Sequence, residues 1–215
     1  MGSTMVFADR VDAGQQLAPL VTHLRGPDLV VLGLPRGGVA VAFEVAQALD
    51  APLDVIVVRK LGVPDQPELG MGAIGDDGVR IVNPEVVGIA GVSDDDLATV
   101  EARERAALVQ RSTSLRRDQP AAALTGRTAL IVDDGVATGS TAKAACQVAR
   151  ARGAARVVLA VPVAAADSVA MLGADADEVI SVLTPTWLSS IGEWYDDFSA
   201  TTDEEVHDLL ARAAK

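Results

Sequence analysis

The chain has 215 residues, 49% of them hydrophobic and 22% charged, with a formal net charge of −12 and an isoelectric point near 4.5. That length and balance predict one folded domain with a full core, and they argue against nucleic acid as a partner, because phosphate-backbone binding is driven by basic surface. A single cysteine, Cys146, excludes an internal disulfide and a cysteine-pair metal site, and no apolar run reaches membrane-spanning length; a cytoplasmic protein with no membrane partner is expected.

Met1–Thr4 read as an addition ahead of a native start at Met5. Val11–Leu24 reads as an outer N-terminal helix. Leu29–Leu34 and Leu53–Val58 are apolar runs of strand length with a helical pattern, Val39–Leu49, between them, which makes a βαβ unit. Gly62–Pro67 reads as a mobile loop. The run Gly70-Met71-Gly72-Ala73-Ile74-Gly75 matches the dinucleotide fingerprint letter for letter, but that fingerprint needs a strand before it and a helix after it. Here Pro64 and Pro67 precede it, and Gly75-Asp76-Asp77-Gly78 turns into Val79–Val82, so a hairpin flap spanning Gly62–Val82 is expected instead. Ser93 followed by three aspartates starts a charged helix that runs to about Arg117. Thr128–Val132, Arg156–Val161 and Glu178–Leu183 are three more strands, separated by helices near Thr141–Arg152 and Ala165–Leu172. Cys146 falls in the alanine-rich part of the first of these and reads as an inert buried thiol. His23 and His207 fall in peripheral helices and read as neither bases nor ligands. The alternation predicts an α/β fold, an open, mostly parallel five-stranded sheet flanked by helices.

Ligands of such sheets bind beyond the carboxyl ends of the strands, and three strand ends here carry unusual residues. The first is Asp133-Asp134, followed by Gly135-Val136-Ala137 and the cluster Thr138-Gly139-Ser140-Thr141 at a helix start. Carboxylates accept hydrogen bonds from sugar hydroxyls and hold a divalent cation, while backbone N–H groups and hydroxyls at a helix start hold phosphate. The second is Pro35-Arg36-Gly37-Gly38, where paired glycines let a backbone approach an anion. The third is Arg59-Lys60, two cations in an acidic protein. Each has an ordinary alternative: an acidic turn that caps a helix, a glycine-rich turn with a surface arginine, a solvated pair of cations. Together they suit a ligand with a ribose, a terminal phosphate and a second polyanion, namely 5-phosphoribosyl 1-pyrophosphate.

Val132–Thr141 resembles the ribose-phosphate signature of the type I phosphoribosyltransferases, and the α/β order is similar over most of the chain. Pro35–Val39, Arg59-Lys60 and Gly192–Phe198 resemble a branch of predicted bacterial phosphoribosyltransferases. The resemblance implies that Asp133 and Asp134 hold the ribose hydroxyls, directly or through Mg²⁺, and that Ala137, Thr138, Gly139, Ser140 and Thr141 cradle the 5-phosphate. It implies that Arg36, Gly37 and Gly38 form a pyrophosphate loop, often with a cis non-proline peptide, and that Lys60 and Arg59 neutralise the departing pyrophosphate. Catalytic weight would rest on Asp133, Asp134, Lys60 and Arg36. A small hood over the acceptor would lie at about 184–200, and the resemblance allows a homodimer.

That hood segment holds the aromatic-rich stretch of an aromatic-poor chain: Trp187, Trp194, Tyr195 and Phe198. These rings either stack on a planar acceptor or fill the small core of a C-terminal cap; Trp187, nearest the strand end, is the stacking candidate, with Ile191 beside it. Asp196 or Asp197 is a candidate for a further metal contact, the alternative being a solvated acidic surface. Ala137 stands where the 6-oxopurine enzymes of the family carry an acid, which argues against hypoxanthine or guanine. The expected activity is Mg²⁺-dependent transfer of a phosphoribosyl group to a small nitrogenous acceptor. The alternative is a regulator that binds the sugar pyrophosphate without turnover.

Overall fold

The computed structural model describes residues 7–117 and 119–214, so the reading of Met1–Thr4 lies outside the described residues. Its strands are β1 (Leu29–Gly33), β2 (Leu53–Val55), β3 (Val58–Val63), β4 (Gln66–Gly75), β5 (Arg80–Val82), β6 (Thr128–Val132), β7 (Arg156–Val163) and β8 (Glu178–Leu183). Its helices are α1 (Arg10–Leu17), α2 (Gly37–Leu49), α3 (Pro84–Ala90), α4 (Asp94–Arg116), α5 (Ser140–Ala151), α6 (Ala166–Leu172) and α7 (Asp203–Ala213). Five strands form a parallel sheet in the order β2-β1-β6-β7-β8, and β3-β4-β5 form a separate antiparallel sheet, the expected flap. The chain runs outward from β1 to β2 and then resumes on the other side at β6. The switch point is therefore between β1 and β6, which is where an open α/β sheet leaves a crevice.

Strand alternation sorts the core into two layers. Val30, Leu32, Ile131, Val157 and Leu159 pack with Ala142, Ala145, Cys146 and Ala149 of α5. Leu29, Val31, Leu130, Val132 and Val158 pack on the other face with Leu17, Val21, Val41, Val45 and Leu49. Each fully buried Leu or Val contributes about 1.5–3 kcal/mol, so the central strands are rigid supports for the loops at their ends. No helix among the described residues is long and apolar enough to cross a membrane.

Three expectations are corrected. The run Leu53–Val58 is not one strand: β2 stops at Val55, and Val58 opens the flap. The β1 donors facing β2 fall on alternate residues from Val31, and the next after Gly33 is Pro35, which has no N–H, so the ladder ends there. Gly62–Pro67 is the end of a paired hairpin, Val63 opposite Gln66, with only Pro64 and Asp65 between them. Val11–Leu24 is α1 followed by a 3₁₀ segment, Ala18–Leu24, because Pro19 cannot donate to the preceding turn.

Two buried arginines pin the base of the flap. Arg116, at the end of α4, donates Nε to Asp54 Oδ1 at 2.9 Å and Nη1 to Asp76 Oδ2 at 2.8 Å. Arg152, just after α5, donates Nε to Asp77 Oδ2 at 2.8 Å. Removing one partner of a buried pair such as Arg116 with Asp54 and Asp76 typically costs about 3–5 kcal/mol, and the more exposed Arg152–Asp77 contact adds a second tie, so the turn at Asp76–Asp77 is a fixed point.

Candidate functional site

The turns after β1 and β6 face each other across the switch point. Leu34 N–H donates to Val132 O at 2.8 Å and laces the two strand ends together. Beyond β1 the chain makes a cis peptide between Pro35 and Arg36 and enters α2 at Gly37. Glycine is required there: a Cβ on Gly37 would overlap Asp134 Oδ2, and one on Gly38 would lie 2.8 Å from Asp133 Cα. The two glycines, the cis peptide and the carboxylate pair are thus one packed unit.

The loop after β6 is held from every side. Asp134 N–H donates to Asp133 Oδ1 at 2.9 Å, and Tyr195 Oη donates to Asp134 O at 2.6 Å. Val136 N–H donates to Val163 O at 2.8 Å, and Ser168 Oγ donates to Ala137 O at 2.5 Å. Gly139 takes φ +76°, a left-handed conformation that a side chain resists, and its Cβ would meet Met171 Cε at 2.8 Å. Thr138, Ser140 and Thr141 are exposed at the mouth of this loop.

Both helices that begin at the crevice lack a side-chain cap. Arg36 before α2 and Gly139 before α5 give no capping bond, nor does Ala165 before the short α6, whereas Asp9, Asn83, Ser93 and Thr202 cap α1, α3, α4 and α7. The first N–H groups of α2 and α5 therefore stay available to an anion, and the helix dipoles favour it.

The carboxylates differ. Burial of the Asp133 carboxyl, with the Asp134 charge beside it, pushes its pKa well above the ordinary carboxylate value. Asp134 carries an ion pair to Arg10, Nε to Oδ2 at 2.8 Å. Burial likewise pushes the Tyr195 hydroxyl up, so it stays a proton donor to Asp134 O. Burial drives the Cys146 thiol up to about 12, and the inert reading of that residue fits.

The two flap cations part company. Lys60 Nζ donates to Ser140 Oγ at 3.0 Å, so its charge stands at the start of α5. Arg59 pairs with Glu104 of α4 at 2.8 Å. Both belong to β3 of the flap and not to the end of a parallel strand, a correction that follows from the break after Val55. Arg36 Nη1 lies 3.7 Å from Asp203 Oδ1, whose other oxygen is held by Arg111 at 2.5 Å. A cleft of ≈ 320 Å³ opens here, between Pro35, Val58, Arg59, Arg111, Thr141 and Asp203.

In the hood, the two readings divide by residue. Tyr195 packs on Phe7 at 5.3 Å and on Phe198 at 4.9 Å between centroids, and fills a small cap core. Trp187 is 83% exposed and fills nothing. Ile191 covers the loop after β6: its Cγ2 would lie 2.6 Å from a Cβ on Gly135. Asp196 is exposed, and among the described residues no trio of metal-capable side chains joins it to the carboxylate pair. Among the described residues the only trio of metal-capable side chains is Glu204, His207 and Asp208, on α7.

Arg10 and Tyr195 are the site residues that the sequence reading missed as contacts of Asp134. Arg10 stands 124 positions away from it, and no local pattern joins them. The cap residue Asp9 was the available clue that a helix starts there.

Relatives place this geometry. Two Mycobacterium tuberculosis chains, from strains CDC 1551 and H37Rv, are 54% identical over 208 residues, and their names assign them to the phosphoribosyl transferases. The match covers 97% of this chain but spans 47% of the length of either relative. The crystal structure of the protein TT1426 from Thermus thermophilus superposes with a TM-score of 0.90 at 43% identity, covering 98% of this chain and 100% of that one. The family model described as the phosphoribosyl transferase domain matches residues 17–196, a span that takes in both facing turns, the flap and most of the hood. The chain belongs to the phosphoribosyl transferase domain family.

Proposed function

We propose that the chain transfers a 5-phosphoribosyl group from 5-phosphoribosyl 1-pyrophosphate, as its Mg²⁺ complex, to a small nitrogenous acceptor, with release of pyrophosphate. The observation that carries this reading is the facing of two uncapped helix starts across a carboxylate pair. One helix start and the Thr138, Ser140 and Thr141 hydroxyls suit the 5-phosphate. The other, at Gly37-Gly38, suits the pyrophosphate. The carboxylates between them suit the ribose hydroxyls.

The donor set fits magnesium. Two hard oxygen groups, with no third metal-capable side chain joining them among the described residues, leave most of the shell to water and substrate oxygens, the usual habit of this ion. When bound, Mg²⁺ neutralises charge on the diphosphate. The protein's own part is positional and electrostatic. The N–H groups of Gly37 and Gly38 receive charge as the C1–oxygen bond to pyrophosphate breaks. Asp133 and Asp134 hold the ribose while positive charge grows on its ring, and the acceptor nitrogen then bonds to C1. Lys60 fixes the phosphate end through the start of α5. The flap, closed over the crevice, keeps water from the activated sugar. The exposed Trp187 face offers a surface for a planar acceptor.

The direct test is pyrophosphate release from 5-phosphoribosyl 1-pyrophosphate and Mg²⁺ against a panel of nitrogenous bases. Release that depends on one of them supports transfer; tight binding without release would make the chain a sensor of the sugar pyrophosphate. Asp133→Asn with Asp134→Asn should lower Mg²⁺-dependent affinity on the order of 100-fold or more by calorimetry, since each charge-assisted bond is worth about 1.5–3 kcal/mol. Unchanged affinity in a folded double variant would refute the assignment.

A further inference from the structure

The carboxylate pair has a resident cation. Arg10, the first residue of α1, donates Nε to Asp134 Oδ2 at 2.8 Å, and the two side chains are only 12% and 15% exposed. Its Nη1 donates to the carbonyl of Ser199 at 2.7 Å, and its guanidinium lies 4.0 Å from the centroid of the Phe198 ring. A Cβ on Gly37 would stand 2.6 Å from Arg10 Nε, so the guanidinium fills the angle between Asp134 and the glycine turn after β1. Phe198 in turn packs on Tyr195, whose hydroxyl bonds to Asp134 O. One side chain thus closes a ring of contacts: Asp134, Arg10, Ser199, Phe198, Tyr195 and back to Asp134.

We infer that Arg10 is a built-in counter-ion that a divalent cation must displace from Asp134, and that its displacement releases the Phe198–Ser199 segment of the hood. This rests on the reading of Asp133 and Asp134 as the group that holds ribose and metal. A dication and a guanidinium on the same carboxylate oxygen repel, and the enclosure limits the screening that would otherwise weaken that repulsion. Arg10 is also held by three separate groups, so the ion pair is not an idle surface contact. The binding-competent form, with Asp134 free, is a minor one, and apparent affinity falls by its population. Binding at the sugar site and loosening of the hood become one event, because a single side chain serves both.

The test uses Mn²⁺ as a paramagnetic probe, titrated into the full chain with no sugar present. Arg10→Gln is expected to tighten Mn²⁺ binding about tenfold if Asp134 is paired nine-tenths of the time. Arg10→Lys, which keeps the charge and loses the fork, should fall between. The gain must vanish in Arg10→Gln combined with Asp134→Asn; a gain that persists belongs to the Glu204, His207 and Asp208 trio and overturns the inference. Unchanged or weaker Mn²⁺ binding in Arg10→Gln overturns it too, as does no binding by either protein. A second readout is amide hydrogen exchange at Ser199 and Ala200, expected to be faster in Arg10→Gln before any ligand is added and to rise in the parent when Mn²⁺ binds. Should Arg10→Gln not fold, Phe198→Leu removes the ring beneath the guanidinium and should raise Mn²⁺ affinity in the same direction; no change there would overturn the inference. If Mn²⁺ tightens while neither protein binds 5-phosphoribosyl 1-pyrophosphate, the counter-ion stands and the transferase reading falls.

Discussion

The loop after β6 and the hood above it flank the same crevice and differ in what they present to it. The loop is fixed through its backbone: Asp134, Val136 and Ala137 each have a main-chain atom bonded to another element or to Asp133. The hood is anchored towards its C-terminal side, by Tyr195, Ile191, the Arg10 contacts and the backbone bonds of Asp196 and Asp197 to Phe7 and Ala8, and leaves Trp187 in solvent. A ligand half gripped by fixed backbone is bound with little reorganisation, so that half supplies affinity. A half met by exposed side chains can change with the residue at one or two positions, so that half supplies selectivity.

The largest test of this contrast is Gly37→Val. Its side chain must push Asp134 aside, and a displacement of about 1 Å in a positioned group costs on the order of 100-fold. Affinity for the sugar pyrophosphate, measured by calorimetry, should fall by that much; a loss under threefold would show that the backbone half is not preorganised. Lys60→Met removes one charge-assisted bond at the start of α5 and should weaken the sugar pyrophosphate roughly 10- to 100-fold, with the loss shrinking as salt rises. Trp187→Ala should weaken only the acceptor, about three- to tenfold, and leave stability within about 0.5 kcal/mol because the ring is 83% exposed. Equal losses for both substrates would erase the division between the halves.

The subtlest expectation concerns stability. Asp133 has its folded pKa raised by burial and by Asp134, so carrying its charge costs the native state above the ordinary carboxylate pKa, and the cost is full above the raised value. Asp133→Asn keeps an oxygen for the Asp134 N–H and removes that charge. The variant should therefore melt higher than the parent near pH 7, and the gap should close as pH falls towards the ordinary carboxylate range. A variant that melts lower at pH 7 would mean the carboxylate is not strained.

Much of this was legible in the chain because it is local. Apolar runs marked β1, β6, β7 and β8, and the capping pattern of Ser93 marked the start of α4. The Asp133–Thr141 turn could be read because the acids, the glycine of positive φ and the hydroxyls are consecutive. The break after Val55 is not local, since it depends on Pro35, beyond the end of the neighbouring strand, having no N–H to donate. The separation of Arg59 from Lys60 followed from that break. Helix α3 carries a local signal of its own, since Asn83 and Pro84 form a cap and a first turn, with Asn83 Oδ1 accepting from Glu85 N–H and Val86 N–H, but it is only seven residues long and buries none of them. Arg10 was invisible for a different reason: an ion pair across 124 positions leaves no trace in either neighbourhood.

The pinned base of the flap turns the hairpin into a lever. Its long strand, β4, has 10 residues, or roughly 33 Å of reach, while Lys60 stands two residues above the start of β3, only about 7 Å from the fulcrum. A rotation of about 10° at the Asp76–Asp77 end would swing the Pro64–Asp65 tip by roughly 6 Å and shift Lys60 by about 1 Å. Such a rotation, made together with α4, whose Leu97, Val100 and Leu108 pack on Leu61, Val63 and Met71, would move the tip several-fold farther than the lysine at Ser140. Reach and grip are separated by distance along one hairpin.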